Sequence, residues 1–219
     1  MIDLHTHTLF SDGELLPSEL VRRAKVKGYK VIGISDHADH TNIETAVAGI
    51  LKLKKELKHY KGITVVPGVE ITHSPVSLIG ELIAFARRLG VSYVVVHGET
   101  IVEPVEQGTN RAAIEGGADI LAHPGLITEE DVAMAKKNGT FLEITSRNGH
   151  SLANGHVAHL AKRIGARLIL NTDSHGPEDL IRREDAEMVA LGAGLSVQDF
   201  AKMQKDAMEF AKKIIGLKR

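Results

Sequence analysis

Residues 90–97 read GVSYVVVH: a glycine, then a run dominated by β-branched and aromatic residues, then a histidine. Glycine takes the left-handed backbone that ends a helix without a Cβ clash. The run after it is apolar enough to be a strand buried on both faces, as parallel strands are. The same unit recurs on either side, as GYKVIGISDH (28–37), GITVVPGVE (62–70), GADILAH (117–123), GTFLEIT (139–145) and GARLILNTDSH (165–175), and the first residues contribute IDLHTH (2–7). Seven strands are therefore predicted, at 2–5, 29–35, 63–70, 91–97, 118–123, 140–145 and 167–173, with Gly28, Gly62, Gly90, Gly117, Gly139 and Gly165 leading into six of them.

Between the strands lie segments of helical periodicity, at 17–27, 43–60, 75–89, 109–116, 128–138 and 152–164. Strand and helix in strict alternation imply right-handed crossovers and a parallel sheet. The strands end in His5-Thr6-His7, Ser35-Asp36-His37, Glu70, His97, His123, Glu143 and Asp173-Ser174-His175. Metal-binding residue types thus share one end of the sheet, and glycines the other. An open sheet would spread them along an edge, whereas a closed barrel converges them on the face where α/β barrels build their sites. The expectation is one domain over residues 1–219. A last segment, 196–219, offers Ser196 and Asp199 as a capping box and places Phe200, Met203, Ala207, Phe210 and Ile214 on one stripe, which predicts a helix packed on the barrel.

Composition narrows the chemistry. The 27 Lys and Arg balance 28 Asp and Glu, so no bulk field draws in nucleic acid or an anionic membrane. There is no cysteine, which leaves nitrogen and oxygen as metal ligands, and 12 histidines, which form no tract. With no apolar run of membrane-spanning length and no leader pattern, a cytoplasmic location is expected.

Along a strand, residues i and i+2 lie on the same side about 6.6 Å apart, a gap that two side chains can close onto one cation. His5 with His7 and Asp173 with His175 form two such pairs, which become neighbours if the sheet closes. Adjacent Asp36 and His37 point oppositely, so one is expected to bind and the other to orient it.

Taken together and in order, HTHTLFSDG, SDH, PGVEI, VVVHGE, LAHPG, LEIT and NTDSH resemble the polymerase and histidinol phosphatase (PHP) family over nearly the whole chain. The resemblance implies a distorted (β/α)7 barrel, TIM-like, and three divalent ions (zinc, manganese or iron) in nine ligand positions. Those positions hold His5, His7, Asp12, His37, Glu70, His97, His123, Asp173 and His175 here. By the same analogy His5, His7, Glu70 and Asp173 hold one ion, Glu70, His97 and His123 a second, and Asp12, His37 and His175 a third. Glu143 is expected beside them, as a supporting or substrate-ordering residue.

Three such ions against three carboxylates leave about +3, which draws phosphate to a neutral protein. They also lower the pKa of a bound water from 15.7 toward about 7. The expected activity is hydrolysis of a small phosphomonoester, histidinol-phosphatase-like, by in-line attack of a metal-activated hydroxide. Arg147, and less directly Arg111, are candidates to bind the phosphoryl oxygens. His40, His73 and His150 follow strand ends and can line the pocket or a solvated loop; His59, His156 and His159 lie in helical segments and read as surface residues.

Three alternatives stand beside this reading. An amidohydrolase also opens with HxH, but it usually has eight strands and a bridging lysine, and no lysine ends a strand here. A phosphodiesterase or 3′–5′ exonuclease would act on nucleic acid or nucleotides, for which an aromatic content of 4% offers few stacking platforms. A non-catalytic subunit of this fold, such as those in ribonuclease P, usually has eroded ligands. A small phosphorylated substrate is the expected partner, with no membrane; the sequence does not specify the oligomeric state.

Overall fold

The computed structural model describes residues 1–56 and 59–216. In chain order the elements are β1 (Ile2–Asp3), α1 (Pro17–Val26), β2 (Val31–Ile34), β3 (His37–Ala38), α2 (Ile43–Glu56), β4 (Thr64–Ile71), α3 (Ile79–Leu89), β5 (Tyr93–His97), α4 (Thr109–Glu115), β6 (Ile120–Ala122), α5 (Glu129–Asn138), β7 (Phe141–Thr145), α6 (Asn154–Ile164), β8 (Leu168–Asn171), α7 (Arg183–Gly192) and α8 (Val197–Ile214). Part of the helix expected over 43–60, residues 57 and 58, lies outside the described residues, as do 217–219 of the last segment.

Every strand pair is parallel, and the strands neighbour one another in the order β1-β2-β4-β5-β6-β7-β8. The additional strand, β3, continues β2 along β4: residues 31–34 pair with Thr64–Pro67, and His37–Ala38 with Glu70–Ile71. The break at Ser35-Asp36 has a cause. The Asp36 carboxylate accepts hydrogen bonds from Thr8 N (2.6 Å), Thr8 Oγ1 (2.8 Å) and Ser11 Oγ (2.9 Å), tying the strand end to the loop after β1. All six glycines that lead into strands have positive φ, from 78° at Gly139 to 102° at Gly90, where they are the left-handed caps of α5 and α3.

The first and last strands meet through side chains. Asn171 Oδ1 accepts Leu4 N (2.9 Å), while the buried Asp3 carboxylate accepts Thr172 Oγ1 (2.6 Å) and Thr172 N (3.3 Å). Burial pushes the Asp3 pKa up to about 6. Backbone pairing resumes one turn higher, where Thr6 bridges Ser174 and His7 N donates to Ser174 O at 2.8 Å. The barrel is therefore nearly closed, and this seam is its distortion.

Alternate residues fill the interior, among them Ile2, Leu4, Val31, Val66, Tyr93, Val95, Ile120, Phe141 and Ile169, while their neighbours pack against the helices. Tyr93 is fully buried at the centre, and only glycine fits beside it: a Cβ on Gly68 would lie 2.4 Å from the ring. Helix α8 closes the end opposite the ligands. Ala207 and Ala211 join the interior cluster, Phe210 meets Phe141 edge-on at 5.4 Å, and Gln204 Oε1 accepts Ile2 N at 3.1 Å. Phe200 and Met203 are buried in the outer core, and the Ser196–Asp199 capping box forms as expected. No helix among the described residues is long and apolar enough to cross a membrane.

Candidate metal centre

Inward alternation carries four site residues to the barrel mouth. Glu70 follows Val66 and Gly68, His97 follows Tyr93 and Val95, Glu143 follows Phe141, and Asp173 follows Ile169 and Asn171. Three histidines arrive otherwise. In β1 the inward residues are Ile2 and Leu4, so His5 and His7 reach the centre because the strand ends at Asp3. His123 sits at φ 24° and Asp173 at φ 52°, backbone conformations that cost energy in a non-glycine residue and that cluster at functional sites.

The innermost contacts join His5, His7, Glu70 and Asp173. His5 Nε2 lies 3.2 Å from Glu70 Oε1 and 3.6 Å from Asp173 Oδ1. His7 Nε2 lies 3.1 Å from Asp173 Oδ1 and 3.7 Å from Glu70 Oε2. Toward solvent, His37 Nδ1 is 2.5 Å from Glu70 Oε2, and its Nε2 is 3.4 Å from His175 Nε2 and 3.5 Å from Asp12 Oδ1. His175 Nε2 lies 3.3 Å from Asp12 Oδ1. Asp12 reaches this point because its loop folds tightly over His7, where a Cβ on Gly13 would stand 2.5 Å from the His7 carbonyl carbon.

Second contacts fix the imidazoles. Glu143, fully buried, places Oε1 2.8 Å from His5 Nδ1 and accepts Asn171 Nδ2 on the same oxygen (2.8 Å) and His123 N on Oε2 (3.1 Å). His175 Nδ1 donates to Asp173 O at 2.9 Å. A proton held on Nδ1 leaves a lone pair on Nε2, and these Nε2 atoms face carboxylate oxygens. Histidines that bind metals are oriented in this way.

Electrostatics agree. Burial opposes the charge of His5, but Glu143, Glu70 and Asp173 around it raise its pKa well above the usual value, which reports a strongly negative field. Burial likewise opposes ionisation of Glu70, and His5 and His37 hold it well below the usual carboxylate range. His7 and His123 are pushed well below the usual imidazole value, first by burial and then by His37 and His97 respectively, so both offer lone pairs. Burial pushes Asp173 up to about 7.

The residues fit a metal on two counts. Buried atoms without a hydrogen bond include His5 Nε2, both His7 nitrogens, Glu70 Oε1, His123 Nδ1 and Asp173 Oδ1. An orphaned buried polar atom costs about 1–3 kcal/mol, so six in one place call for a ligand. Moreover, nitrogen and oxygen atoms about 2.0–2.1 Å from a tetrahedral ion lie about 3.3 Å from each other. The separations above fall close to that edge.

Ligand atoms within 4.8 Å of one another form four groups: His5, His7, Glu70; His5, His123, Asp173; His7, Asp12, His37, His175; and His73, His97, Glu103. All nine expected residues are present, but His97 groups with Glu103 and not with Glu70. Glu103, with its pKa lowered to about 2 chiefly by His97, belongs to no motif and was not legible in the sequence. His73 and His150 do line the pocket, a cavity of about 220 Å³, and His150 is buried. His40 lies elsewhere, on the surface near Phe85. Arg147 is at the pocket wall, its Nε 3.6 Å from Asp173 Oδ2 and its Nη1 3.4 Å from Asp179 Oδ2. Arg111 instead pairs with Asp131 at 2.8 Å. His59 is exposed beside Glu56, while His156 is half-buried with Nε2 2.8 Å from Ile127 O.

Residues 3–215 match the sequence model of the PHP domain. The chain is 52% identical over 196 residues to an uncharacterized protein of Methanocaldococcus jannaschii, covering 89% of this chain and 90% of that one. It is 25% identical over 229 residues to a probable phosphatase of Shewanella pealeana, covering 95% and 90% respectively. Two solved structures share its fold at 18% identity. One is a chain from archaeal ribonuclease P with mature tRNA (TM-score 0.68, 98% of this chain and 89% of that one). The other is histidinol phosphate phosphatase from Lactococcus lactis, complexed with zinc, L-histidinol and phosphate (TM-score 0.63, 89% and 94%).

Proposed function

Because the chain belongs to the PHP domain family, we propose that it is a metal-dependent phosphoesterase that hydrolyses a small phosphomonoester. The observation that carries this reading is the set of orphaned ligand atoms of His5, His7, Glu70, His123 and Asp173 beside Arg147 at one barrel mouth. The nine residues His5, His7, Asp12, His37, Glu70, His97, His123, Asp173 and His175 would hold up to three divalent cations. Such ions supply positive charge for the phosphoryl oxygens and a water acidified toward neutrality.

This chain's own residues do the rest. Glu143 keeps the proton on His5 Nδ1, so Nε2 stays available. Asp36, through Thr8 and Ser11, holds the loop that carries Asp12 over the pocket. Arg147 reaches the wall of the cavity next to Asp173, where its guanidinium fork suits two oxygens of a monoester. Asp179 anchors that guanidinium and also accepts His175 N and Gly176 N, each at 2.8 Å, which ties Arg147 to the His175 loop. A cavity of about 220 Å³ suits a phosphate with a small leaving group. The relatives called probable phosphatases support the same chemistry.

The test compares hydrolysis of p-nitrophenyl phosphate and bis-p-nitrophenyl phosphate by manganese- or zinc-loaded protein, with His97→Ala and Asp173→Ala as controls. Faster monoester cleavage, lost in both variants, is expected, and histidinol phosphate then belongs in the substrate screen. Faster diester cleavage would redirect the assignment to a phosphodiesterase, and no metal-dependent turnover of either would refute the enzymatic reading.

A further inference from the structure

The Asn-Gly step occurs three times in the chain, at 138–139, 148–149 and 154–155. With no side chain on the glycine to obstruct it, the glycine's backbone nitrogen can attack the asparagine side-chain carbonyl, one reason that asparagine is a thermolabile residue. The fold treats the three steps differently. Asn138 ends α5, where its Nδ2 donates to Ile114 O at 3.0 Å and Gly139 N donates to Ala135 O at 2.8 Å. Asn154 begins α6 and is buried, with Oδ1 accepting Thr145 N (3.1 Å) and Nδ2 donating to Thr145 O (2.8 Å). In both, the amide is clamped and the backbone is helical, with φ −51° and ψ −42° at Asn154, which puts the next nitrogen out of line with Cγ.

Asn148 has neither protection. It stands exposed in the turn after β7, and among the described residues its side chain makes no hydrogen bond and Gly149 N donates none. The turn itself calls for glycine at 149, where φ is 84° and ψ −54°. We propose that Asn148 is a site of spontaneous deamidation in the folded chain, and that the product weakens phosphate binding. Gly149 N gives up its proton and bonds to Asn148 Cγ, and the side-chain nitrogen takes up a proton and leaves as ammonia, closing a five-membered imide. Water then opens the ring at either carbonyl, to give aspartate or its β-linked isomer. One negative charge appears on the residue next to Arg147, whose guanidinium stands at the pocket wall beside Asp173. The isomer also adds a carbon to the backbone between Arg147 and His150, both of which line the pocket. Both changes oppose an incoming phosphate dianion. That consequence rests on the phosphoesterase reading above, whereas the modification itself does not.

The test follows mass and KM together. Wild type, Asn148→Gln and Asn148→Asp are aged at alkaline and at mildly acidic pH, folded and in urea, and then digested with trypsin. Peptides 138–147 and 148–162 separate Asn138 from the other two, and fragmentation separates Asn148 from Asn154. In folded wild type the mass gain of an amide turned acid is expected at Asn148 alone, faster at alkaline pH, and in urea at all three asparagines. Aged wild type and fresh Asn148→Asp are both expected to show KM for the phosphomonoester raised about 2- to 5-fold, the worth of one exposed charge pair, and less so at high salt. Aged Asn148→Gln, whose longer side chain closes a ring far more slowly, keeps its initial KM. Equal conversion of the three asparagines in the folded chain, or none at Asn148, would overturn the inference, as would an unchanged KM in Asn148→Asp. A chain that converts at Asn148 yet cleaves no phosphomonoester would instead refute the phosphoesterase reading and leave the modification site in place.

Discussion

Glu143 and His5 are joined inside the barrel by a 2.8 Å contact between Oε1 and Nδ1, with both side chains fully buried. This contact sets which nitrogen of His5 faces Glu70 and Asp173, and the other oxygen of Glu143 holds the backbone of His123. Removing the charge without the shape, in Glu143→Gln, should weaken metal binding by about 10–100-fold, the usual effect of losing such a support. Calorimetric titration of the metal-stripped variant with zinc measures it; wild-type affinity would show that the tautomer is held by something else.

Metal should also stabilise the fold, since the proposed ligands come from β3, β4 and β5 and from the loops after β1, β6 and β8. An ion present at 100 times its dissociation constant adds about 2.7 kcal/mol per site. For a chain of this length that is roughly 5–10 °C in Tm. Scanning calorimetry of EDTA-treated and reloaded protein should show at least one such step, and coincident melting curves would contradict the site.

Arg147 touches Asp173 and Asp179 but no element of the core, so its loss should spare folding. Arg147→Ala is expected to raise KM for a phosphomonoester by about 10-fold or more, the value of one charged hydrogen bond, with metal content unchanged. A fall in bound metal alongside KM would mean that Arg147 acts by positioning Asp173.

Gly68 faces the Tyr93 ring at a distance no Cβ could occupy. Gly68→Ala should cost about 1–3 kcal/mol through overpacking of the barrel centre, visible as a lower midpoint in urea. Restoration by the double variant Gly68→Ala with Tyr93→Phe would show that hydroxyl crowding, and not ring crowding, is the cause.

The α8 cap makes a pH-dependent contribution. Lys162, first, and the Ser196 backbone and hydroxyl lower the Asp199 pKa from 3.8 to about 2. An acid with a depressed folded-state pKa stabilises above its unfolded value, so this contribution is complete above about pH 4 and lost between about pH 4 and 2. Ser196→Ala should cost about 1 kcal/mol at pH 7 and less at pH 2. Urea midpoints at the two pH values check the difference.

The sequence by itself determined the architecture. A glycine leading into each of six strands and the apolar run that follows it are local signals, and all six of those glycines have the left-handed backbone they imply. It also placed the candidate ligand types, because parallel strands in alternation with helices send all their carboxyl ends to one face. The tertiary structure alone decided how those ligands group. His5, His7 and His123 leave strand alternation to reach the centre, and Glu103 arrives on a loop that carries no motif. Such placements depend on contacts between residues far apart in the chain, such as Glu143 with His5 or Asn171 with Leu4 across the seam. No local periodicity encodes them, because they exist only once the first and last strands have met.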